Sequence, residues 1–337
     1  MCRVVVITHS DTDGVVSAAI AKAKYPGARL VFTRPYALIK TVKDVVSDER
    51  RPRMIVIADL ELSGGFAPAL SKILSPIRGE TFVLYADHHP ATLESARRCP
   101  DVFDVMLFDE QKCAAQLILS ALFPGNNGHL SSLATMAAIF DRCAGGDVDP
   151  VLFTESQLLT KALQVDPWDF EFMEEVAEKL ASGKLPSAIP GVMERVRESM
   201  GRYKELLTKI RERLREVAPG LYMADAKDMT GAGHWGAVAQ KLSSEVGAAV
   251  VLICPSSRQG SVVITARRPK HVDIDLLSVV GEACRAVGGH AGGHSSAIGG
   301  RIPVAACEAF EKLVALYHQR YLNKKKQCMG TQRHVTG

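Results

Sequence analysis

The 337-residue sequence predicts an α/β protein in which an N-terminal parallel sheet is followed by a second, smaller α/β domain. Three observations support this prediction. Short apolar runs alternate with helix-like stretches through the first half of the chain, which is typical of a parallel sheet with helices on both faces. Several of these runs end in acidic or histidine residues. After residue 150 a helical stretch interrupts the pattern, and new strands and helices begin near residue 219.

The first predicted element is a strand that begins at Val4 and consists of apolar, mostly β-branched residues. Such a run is typical of a strand that is buried on both faces. His9, Asp11 and Asp13 follow it, and then a stretch of small apolar residues predicts a helix. Ligands of open α/β sheets bind beyond the carboxyl ends of the strands. Helix capping would account for one Asp only, so we expect a cation among these three side chains.

Two later strands and one helix also end in residues of the kinds that bind metals. Buried strands are predicted over three further apolar runs, residues 29–33, 54–58 and 81–86. Asp59 follows the second of these runs. The third run ends in Asp87, His88 and His89. Neutral imidazoles are the commonest metal ligands, and two in succession are difficult to place in a core. Asp141 ends a later predicted helix, where the helix dipole disfavours a carboxylate unless a cation compensates it.

The middle of the chain, residues 151–218, predicts a helical connector. Apolar residues recur at helical spacing from residue 192 to residue 217, with Arg, Lys and Glu between them, so this stretch predicts one long amphipathic helix. We interpret its charged face as solvated and stabilised by charge pairs four residues apart. A nucleic-acid-binding surface is the alternative interpretation.

Residues 219–322 predict the second domain. Its predicted elements are a helix over 237–246, strands over 248–253 and 261–266, a helix over 275–286, a strand over 301–304 and a helix over 305–321. Residues 288–300 are dense in glycine, which allows successive backbone N–H groups to surround an anion. We therefore expect an anion-binding loop there rather than a flexible linker. Residues 323–337 are polar and basic and predict a disordered tail.

Composition limits the function further. The formal net charge of +4 permits an anionic substrate without requiring nucleic acid. The eight cysteines form no C-x-x-C pair, which favours reduced thiols in the cytoplasm over a disulfide framework or a zinc site. The chain leads directly into a strand, so no signal peptide is expected, and no apolar run is long enough to cross a bilayer. We expect a cytoplasmic protein without a membrane partner.

Taken in order, the ligand-type residues resemble the four motifs of the DHH phosphoesterase superfamily. The matching motifs are His9-x-Asp11-x-Asp13-Gly14, Asp59, Asp87-His88-His89 and Asp141. Histidine in the first position is typical of archaeal RecJ-like members, whereas bacterial RecJ-type nucleases tend to carry Asp there.

The glycine-rich segment is similar to the DHHA1 domain, which accompanies the DHH domain in this superfamily. The family core Gly-Gly-His-x-x-Ala is matched from Gly292 to Ala297. The family usually carries a second alanine directly after this core, and Ile298 stands there instead. Arg267 lies where the family carries the last residue of Ser-x-Arg. The resemblance implies an active site in a cleft between two domains, with a DHH domain over 1–150, a connector over 151–218 and a DHHA1 domain over 219–322.

The resemblance also implies a metal centre with two Mn²⁺ ions, for which Mg²⁺ is the alternative. Carboxylates with a few imidazoles suit Mn²⁺ better than a soft-ligand zinc site. Two divalent ions can activate the nucleophile and stabilise the transition state of phosphodiester hydrolysis. One ion is implied to be held by His9, Asp11 and Asp59. The implied ligands of the second ion are Asp13, Asp59, His88 and Asp141.

Further roles follow from the same resemblance. Asp59, which would bridge the two ions, belongs with the catalytic residues. His89 is implied to contact the scissile phosphate or to protonate the leaving oxygen, and Asp87 to orient the neighbouring imidazoles. Arg267 and the glycine-rich segment are implied to bind the substrate. In that segment the expected contacts are Gly292, Gly293, His294 and Ser295.

The resemblance predicts an exonuclease or oligonucleotide phosphodiesterase that hydrolyses single-stranded DNA or RNA to mononucleotides. Long strands would need a basic track with aromatic residues, and aromatic residues make up only 6% of the chain, which favours short oligonucleotides. One alternative is a phosphodiesterase for cyclic dinucleotides or small nucleotides. The other is a non-catalytic scaffold of a replication assembly, which the full set of motif residues disfavours. A helicase or another replication or repair protein is a further candidate partner.

Overall fold

The computed structural model describes residues 3–62, 65–125, 127–231 and 233–333. The chain forms two compact units that meet in sequence between Ser199 and Met200. None of the helices in the described part of the chain is long and apolar enough to cross a membrane.

The first unit contains a five-stranded sheet and the helices around it. Its elements are β1 (Val4–His9), α1 (Thr12–Lys24), β2 (Arg29–Thr33), α2 (Leu38–Val46), β3 (Met54–Ala58), α3 (Phe66–Leu74), β4 (Phe82–Asp87), α4 (Pro90–Arg97), β5 (Val105–Phe108), α5 (Ala114–Leu122), α6 (Gly128–Phe140), α7 (Pro150–Leu163), α8 (Phe170–Ala181) and α9 (Val192–Arg213). The boundary between the two units falls within α9.

All neighbouring strands of this sheet are parallel, in the order β2-β1-β3-β4-β5. The order reverses between β1 and β3, which is the point where doubly wound sheets bind their ligands. Val4 and Val6 pack into the core formed with α1, α5, α6 and α8. Val5 and Ile7 pack into the core on the opposite face, which includes residues of α2 and α3. Burial on both faces explains the unbroken apolar run of β1.

The second unit is built on a six-stranded mixed sheet. Its elements are β6 (Arg215–Ala218), β7 (Leu221–Asp225), α10 (Trp235–Val246), β8 (Ala249–Pro255), β9 (Ser261–Arg267), α11 (Glu282–Ala286), β10 (His290–His294), β11 (Ala297–Pro303) and α12 (Cys307–Arg333). The strand order is β10-β11-β9-β8-β7-β6, in which only β7 and β8 are parallel neighbours. One face carries α10, and the other carries α11, α12 and a π-helical turn at Leu277–Gly281.

Three segments differ from the sequence prediction. The amphipathic helix ends at Arg213 instead of near residue 217, because the following residues pair as β6 with β7 across a turn at Gly220, whose φ is +74°. The expected glycine-rich loop is the β10–β11 hairpin. The expected disordered tail is helical as far as Arg333, since this stretch contains no proline to end α12. Residues 334–337 of the tail lie outside the described residues.

Candidate metal centre and substrate-binding face

The ligand-type residues of the first unit follow the carboxyl ends of three neighbouring strands. His9 ends β1, Asp59 directly follows β3, and Asp87 ends β4. Since parallel strands present their carboxyl ends at one edge of a sheet, these side chains lie close together. Three groups of ligand atoms within 4.8 Å of one another result, namely His9, Asp11 and Asp59; Asp59, Asp87, His88 and His89; and Asp13, His88 and Asp141.

The turn after β1 fixes the first group. Asp11 caps α1 by accepting a hydrogen bond from the backbone N–H of Gly14 at 3.1 Å. Its other carboxylate oxygen lies 2.6 Å from Nδ1 of His9. A Cβ atom on Gly14 would lie 2.0 Å from the carbonyl oxygen of His9, so only glycine allows the backbone to turn this tightly. Asp11 thus caps α1 with one carboxylate oxygen and keeps the other in the group formed with His9 and Asp59.

Asp59, like His88, belongs to two of the three groups. One carboxylate oxygen lies 3.6 Å from Nδ1 of His9, and the other lies 3.6 Å from Nε2 of His88. Its φ is +57°, a left-handed conformation that is uncommon outside glycine. The backbone N–H of Asp59 donates to the carbonyl of Ala86 at 3.0 Å and helps to hold this conformation. Strained backbone of this kind concentrates at functional sites.

Asp13 is completely buried and is held by a distant helix. Its two carboxylate oxygens each accept a hydrogen bond of 2.8 Å, one from the backbone N–H of Ala114 and one from that of Ala115. These amides belong to the first turn of α5, where the helix dipole favours a negative charge. Asp141 follows α6, as the sequence predicts, and lies 3.8 Å from Nε2 of His88.

The carboxyl groups of Asp13, Asp59 and Asp141 all have raised pKa values. Burial, and then the nearby charges of Asp11 and Asp13, raise the pKa of Asp59 well above its ordinary value. Burial followed by the charges of Asp13 and Asp11 raises the pKa of Asp141 to about 9. Burial also raises the pKa of Asp13 to about 6, although the α5 amides oppose this shift. Crowded, buried carboxylates of this kind are stabilised in their charged form by a cation.

Asp11 differs from its neighbours. Burial acts to raise its pKa, but the hydrogen bond and the charge of His9 outweigh burial and lower the pKa below its ordinary value. Burial, together with the charge of His89, lowers the pKa of His88. A neutral imidazole is the form that binds a metal.

The donor set fits divalent cations. Oδ2 of Asp59 and Oδ2 of Asp141 are buried and have no hydrogen-bond partner among the described residues. Carboxylate oxygens mixed with imidazole nitrogens suit hard or borderline ions such as Mn²⁺ and Mg²⁺. None of these three groups contains a cysteine, and six cysteines are free thiols, namely Cys99, Cys113, Cys143, Cys254, Cys284 and Cys307.

Asp87 and His89 form a pair beside the cluster. The fully buried carboxylate of Asp87 lies 2.8 Å from Nδ1 of His89 and also accepts a hydrogen bond from the hydroxyl of Thr92. Burial lowers the pKa of His89, but the bond to Asp87 outweighs it and the net shift is upward. Thr92 in turn accepts a hydrogen bond from the backbone N–H of Leu62 at 2.8 Å. Sequence reasoning missed Thr92, although its position in the helix after the His-His pair would have indicated it.

The substrate-binding residues expected in the second unit lie on the β9–β11 strands. Cross-strand register places His294 opposite Ala297, and Ala297 opposite Arg267. The guanidinium of Arg267 donates to the carbonyl of Ala266 at 2.8 Å and to that of Ile298 at 3.3 Å. His294 and Arg267 therefore share a row on one face of the sheet.

The glycines of this segment differ in what they do. Gly293 has a φ of +132°, and a Cβ atom there would lie 2.2 Å from the carbonyl oxygen of Ala297. Gly293 is thus required for the close approach of the two strands. A Cβ atom on Gly292 would meet nothing within 4 Å. The carbonyl of Ser295, in the hairpin turn, accepts hydrogen bonds from the backbone N–H of Leu276 and from the side chain of Arg268. Pairing of β10 with β11 uses part of the backbone groups that an anion-binding loop would leave open, while the outer edge of β10 has no neighbouring strand among the described residues.

Comparison with known proteins agrees with this description. Residues 221–321 match the DHHA1 domain family. No curated protein matches the sequence. Among solved structures, RecJ from Thermus thermophilus in complex with Mn²⁺ is similar with a TM-score of 0.62 and 16% identity, over 95% of this chain and 52% of that chain. The chain thus spans about half the length of that RecJ.

Two further solved structures have the same fold along nearly their whole length. The pGpG-specific phosphodiesterase PggH from Vibrio cholerae has a TM-score of 0.57 and 14% identity, over 95% of this chain and 100% of that chain. CDC45 from Entamoeba histolytica has a TM-score of 0.53 and 8% identity, over 94% of this chain and 95% of that chain. At these identities the likeness establishes the fold and not the activity. The predicted fold class is confirmed.

Proposed function

We propose that the chain, whose residues 221–321 match the DHHA1 domain family and whose fold is similar to that of RecJ, is a metal-dependent phosphodiesterase that hydrolyses short single-stranded oligonucleotides of DNA or RNA to mononucleotides. The observation that carries this proposal is the shared position of Asp59 between two groups of ligand atoms at the carboxyl edge of the sheet. Oδ2 of Asp59 is buried and has no hydrogen-bond partner among the described residues. The pKa of Asp59 is also raised. Both features favour a bound cation.

We assign two ions to this edge, with Mn²⁺ preferred over Mg²⁺. His9, Asp11 and Asp59 would hold one ion, and their ligand atoms lie within 4.8 Å of one another. The second ion would be held by Asp13, His88 and Asp141, which form another such group, together with Asp59. Such ions neutralise the negative charge of a phosphodiester and supply a nucleophile at neutral pH.

His89 is the proposed proton donor to the leaving oxygen. Asp87 accepts the Nδ1 proton of His89, which leaves Nε2 of the ring for the substrate. The raised pKa of His89 increases the protonated fraction near neutral pH. The side chain of His89 is 38% exposed, whereas that of Asp87 is buried. This pairing supports Asp87 as the residue that positions His89.

The second unit is proposed to bind the nucleotide. Arg267 can contact a phosphate through its planar guanidinium, and His294 in the same row can donate a further hydrogen bond. In this division of roles, residues 1–150 supply the chemistry and residues 219–322 supply substrate binding. A short substrate is favoured because aromatic residues, on which the bases of long single strands stack, make up only 6% of the chain.

The test is hydrolysis of single-stranded DNA and RNA, long and very short, each labelled at one end and incubated with Mn²⁺. We expect mononucleotide release that is fastest on the short strands. Hydrolysis of cyclic dinucleotides alone would establish the small-nucleotide alternative instead. Binding of a helicase or another replication protein without hydrolysis of any substrate would favour the non-catalytic scaffold.

A further inference from the structure

Two basic rows cross the same face of the second unit's sheet. Residues directly opposite one another on neighbouring strands point to one face. His294 and Arg267 belong to the first row, and His290 lies directly opposite Arg301 in the second row. Alternate residues such as Ile298 belong to the core on the opposite face. Both rows therefore point to the face that carries α10.

The two rows are separated along the strands by more than one nucleotide. His290 and His294 are four residues apart on β10, which corresponds to about 13 Å in an extended strand. One phosphate cannot contact both rows. An extended oligonucleotide with several phosphates can place one phosphate at each row.

The surface between the rows is open. Gly292 and Gly299 lie opposite each other midway between the two rows, and a Cβ atom on either would meet nothing within 4 Å. His290, like His294, is exposed. The helix α10 packs mainly against β8 and β9. The residues of β10 that point to the same face are exposed. A sugar–phosphate backbone can therefore approach the sheet closely between the rows.

Arg301 has hydrogen-bonding capacity that the fold does not use. Its Nε is buried and has no hydrogen-bond partner among the described residues. Side chains directly opposite in an antiparallel pair have Cβ atoms about 5 Å apart, so His290 and Arg301 can contact the same anion. A guanidinium matches the oxygens of a phosphate in a bidentate geometry.

We propose that His290 and Arg301 form a second phosphate-binding pair that selects oligonucleotides longer than a dinucleotide. The inference rests on the proposed function and defines its substrate length. The His294 row binds a phosphate near one end of the strand, and the His290 row binds a phosphate at least one nucleotide further along. Neither His290 nor Arg301 takes part in the chemistry.

The test is equilibrium binding in EDTA, which needs no hydrolysis. The ligands are a labelled single-stranded pentanucleotide and a dinucleotide that contains a single phosphate. We expect Arg301→Gln to raise the Kd of the pentanucleotide about tenfold and to leave the Kd of the dinucleotide unchanged. The slope of log Kd against log salt should fall by about 0.7, as expected for one lost phosphate contact on a single strand. His290→Ala should likewise raise the Kd of the pentanucleotide and leave the Kd of the dinucleotide unchanged.

Matched variants separate this effect from loss of charge or of fold. Arg320→Gln removes the same charge from an exposed position on α12 and should change neither Kd. Arg301→Lys keeps a cation but not the bidentate guanidinium, so it should restore the salt slope and only part of the affinity. Equal Kd values for wild type and both row variants, an equal loss for both ligands, or no binding of the pentanucleotide by the wild type would overturn the inference. Absence of Mn²⁺-dependent hydrolysis with selective binding intact would instead overturn the proposed function alone.

Discussion

The carboxylate of Asp87 lies 2.8 Å from Nδ1 of His89, although Asp87 is fully buried and the side chain of His89 is 38% exposed. The hydroxyl of Thr92 donates a hydrogen bond to the buried carboxylate of Asp87 and accepts one from the backbone N–H of Leu62. An interior hydrogen-bond chain therefore sets the orientation of an imidazole that is partly exposed to solvent. Such partners hold both the tautomer and the basicity of a histidine.

We expect Asp87→Asn to lower kcat about 10- to 100-fold, the range typical of losing a hydrogen-bond partner that orients a residue at a metal site. Because the bond to Asp87 raises the pKa of His89, the variant should also move the alkaline limb of the pH–rate profile to lower pH. Steady-state kinetics across pH on a short oligonucleotide measures both effects. Glu94→Gln, an exposed change on α4, is the control and should behave as wild type. An unshifted profile in Asp87→Asn would contradict the positioning role.

Asp59→Asn should stabilise the protein in EDTA at neutral to alkaline pH. The folded-state pKa of Asp59 is raised by burial and neighbouring carboxylates, so folding disfavours the charged form, and the neutral amide removes that cost. Asn tolerates the positive φ at this position. Thermal unfolding in EDTA and in Mn²⁺ is the measurement. The variant should gain stability in EDTA and lose most of the Mn²⁺-induced increase in Tm, whereas a less stable variant that responds fully to Mn²⁺ would contradict this account.

Metal stabilisation should increase with pH. The pKa values of Asp13 and Asp141 are raised to about 6 and about 9 without a metal. Carboxyl groups with raised folded-state pKa values stabilise the fold below their unfolded pKa, and this contribution is lost as pH rises through the folded value. Since a metal binds the deprotonated form, the Mg²⁺-induced rise in Tm should grow between pH 6 and pH 9. A constant or falling increment over this range would show that these carboxyl groups do not hold the ion.

Gly14→Ala should disrupt the turn between β1 and α1. The added Cβ atom would lie 2.0 Å from the carbonyl oxygen of His9, so the turn must open and move Asp11 away from His9. We expect a loss of stability of about 1–3 kcal/mol and a weaker Mn²⁺ response, measured by thermal unfolding with and without the ion. Gly27→Ala is the control, since a Cβ atom there meets nothing within 4 Å. Unchanged stability and Mn²⁺ response in Gly14→Ala would contradict the claim that this turn requires glycine.

The sequence is informative where one local pattern determines the structure. The apolar run of β1 packs into cores on both faces, as predicted, because a strand buried on both sides has no polar alternation. The strand-end positions of His9, Asp59 and Asp87 could likewise be predicted, since parallel strands share one carboxyl edge.

Other features depend on contacts that are distant in sequence. The amides of Ala114 and Ala115 that hold Asp13 are about a hundred residues away from it, and no local pattern indicates this pairing. The left-handed backbone of Asp59 depends on its neighbours in the fold. Glycines at 288–300 predicted an open loop, but Gly293 instead allows two strands to approach closely. Glycine composition alone does not distinguish these two uses.

The most direct test is the rate of Mn²⁺-dependent hydrolysis of an end-labelled single-stranded pentanucleotide by wild type and Asp59→Asn, with Asp44→Asn as an exposed carboxylate control on α2. The proposed metal centre predicts mononucleotide release by wild type and by Asp44→Asn. It predicts a rate at least about 100-fold lower for Asp59→Asn, more than the loss of an outer hydrogen-bond partner would cause. Equal rates for wild type and Asp59→Asn would contradict the assignment of Asp59 to the metal centre.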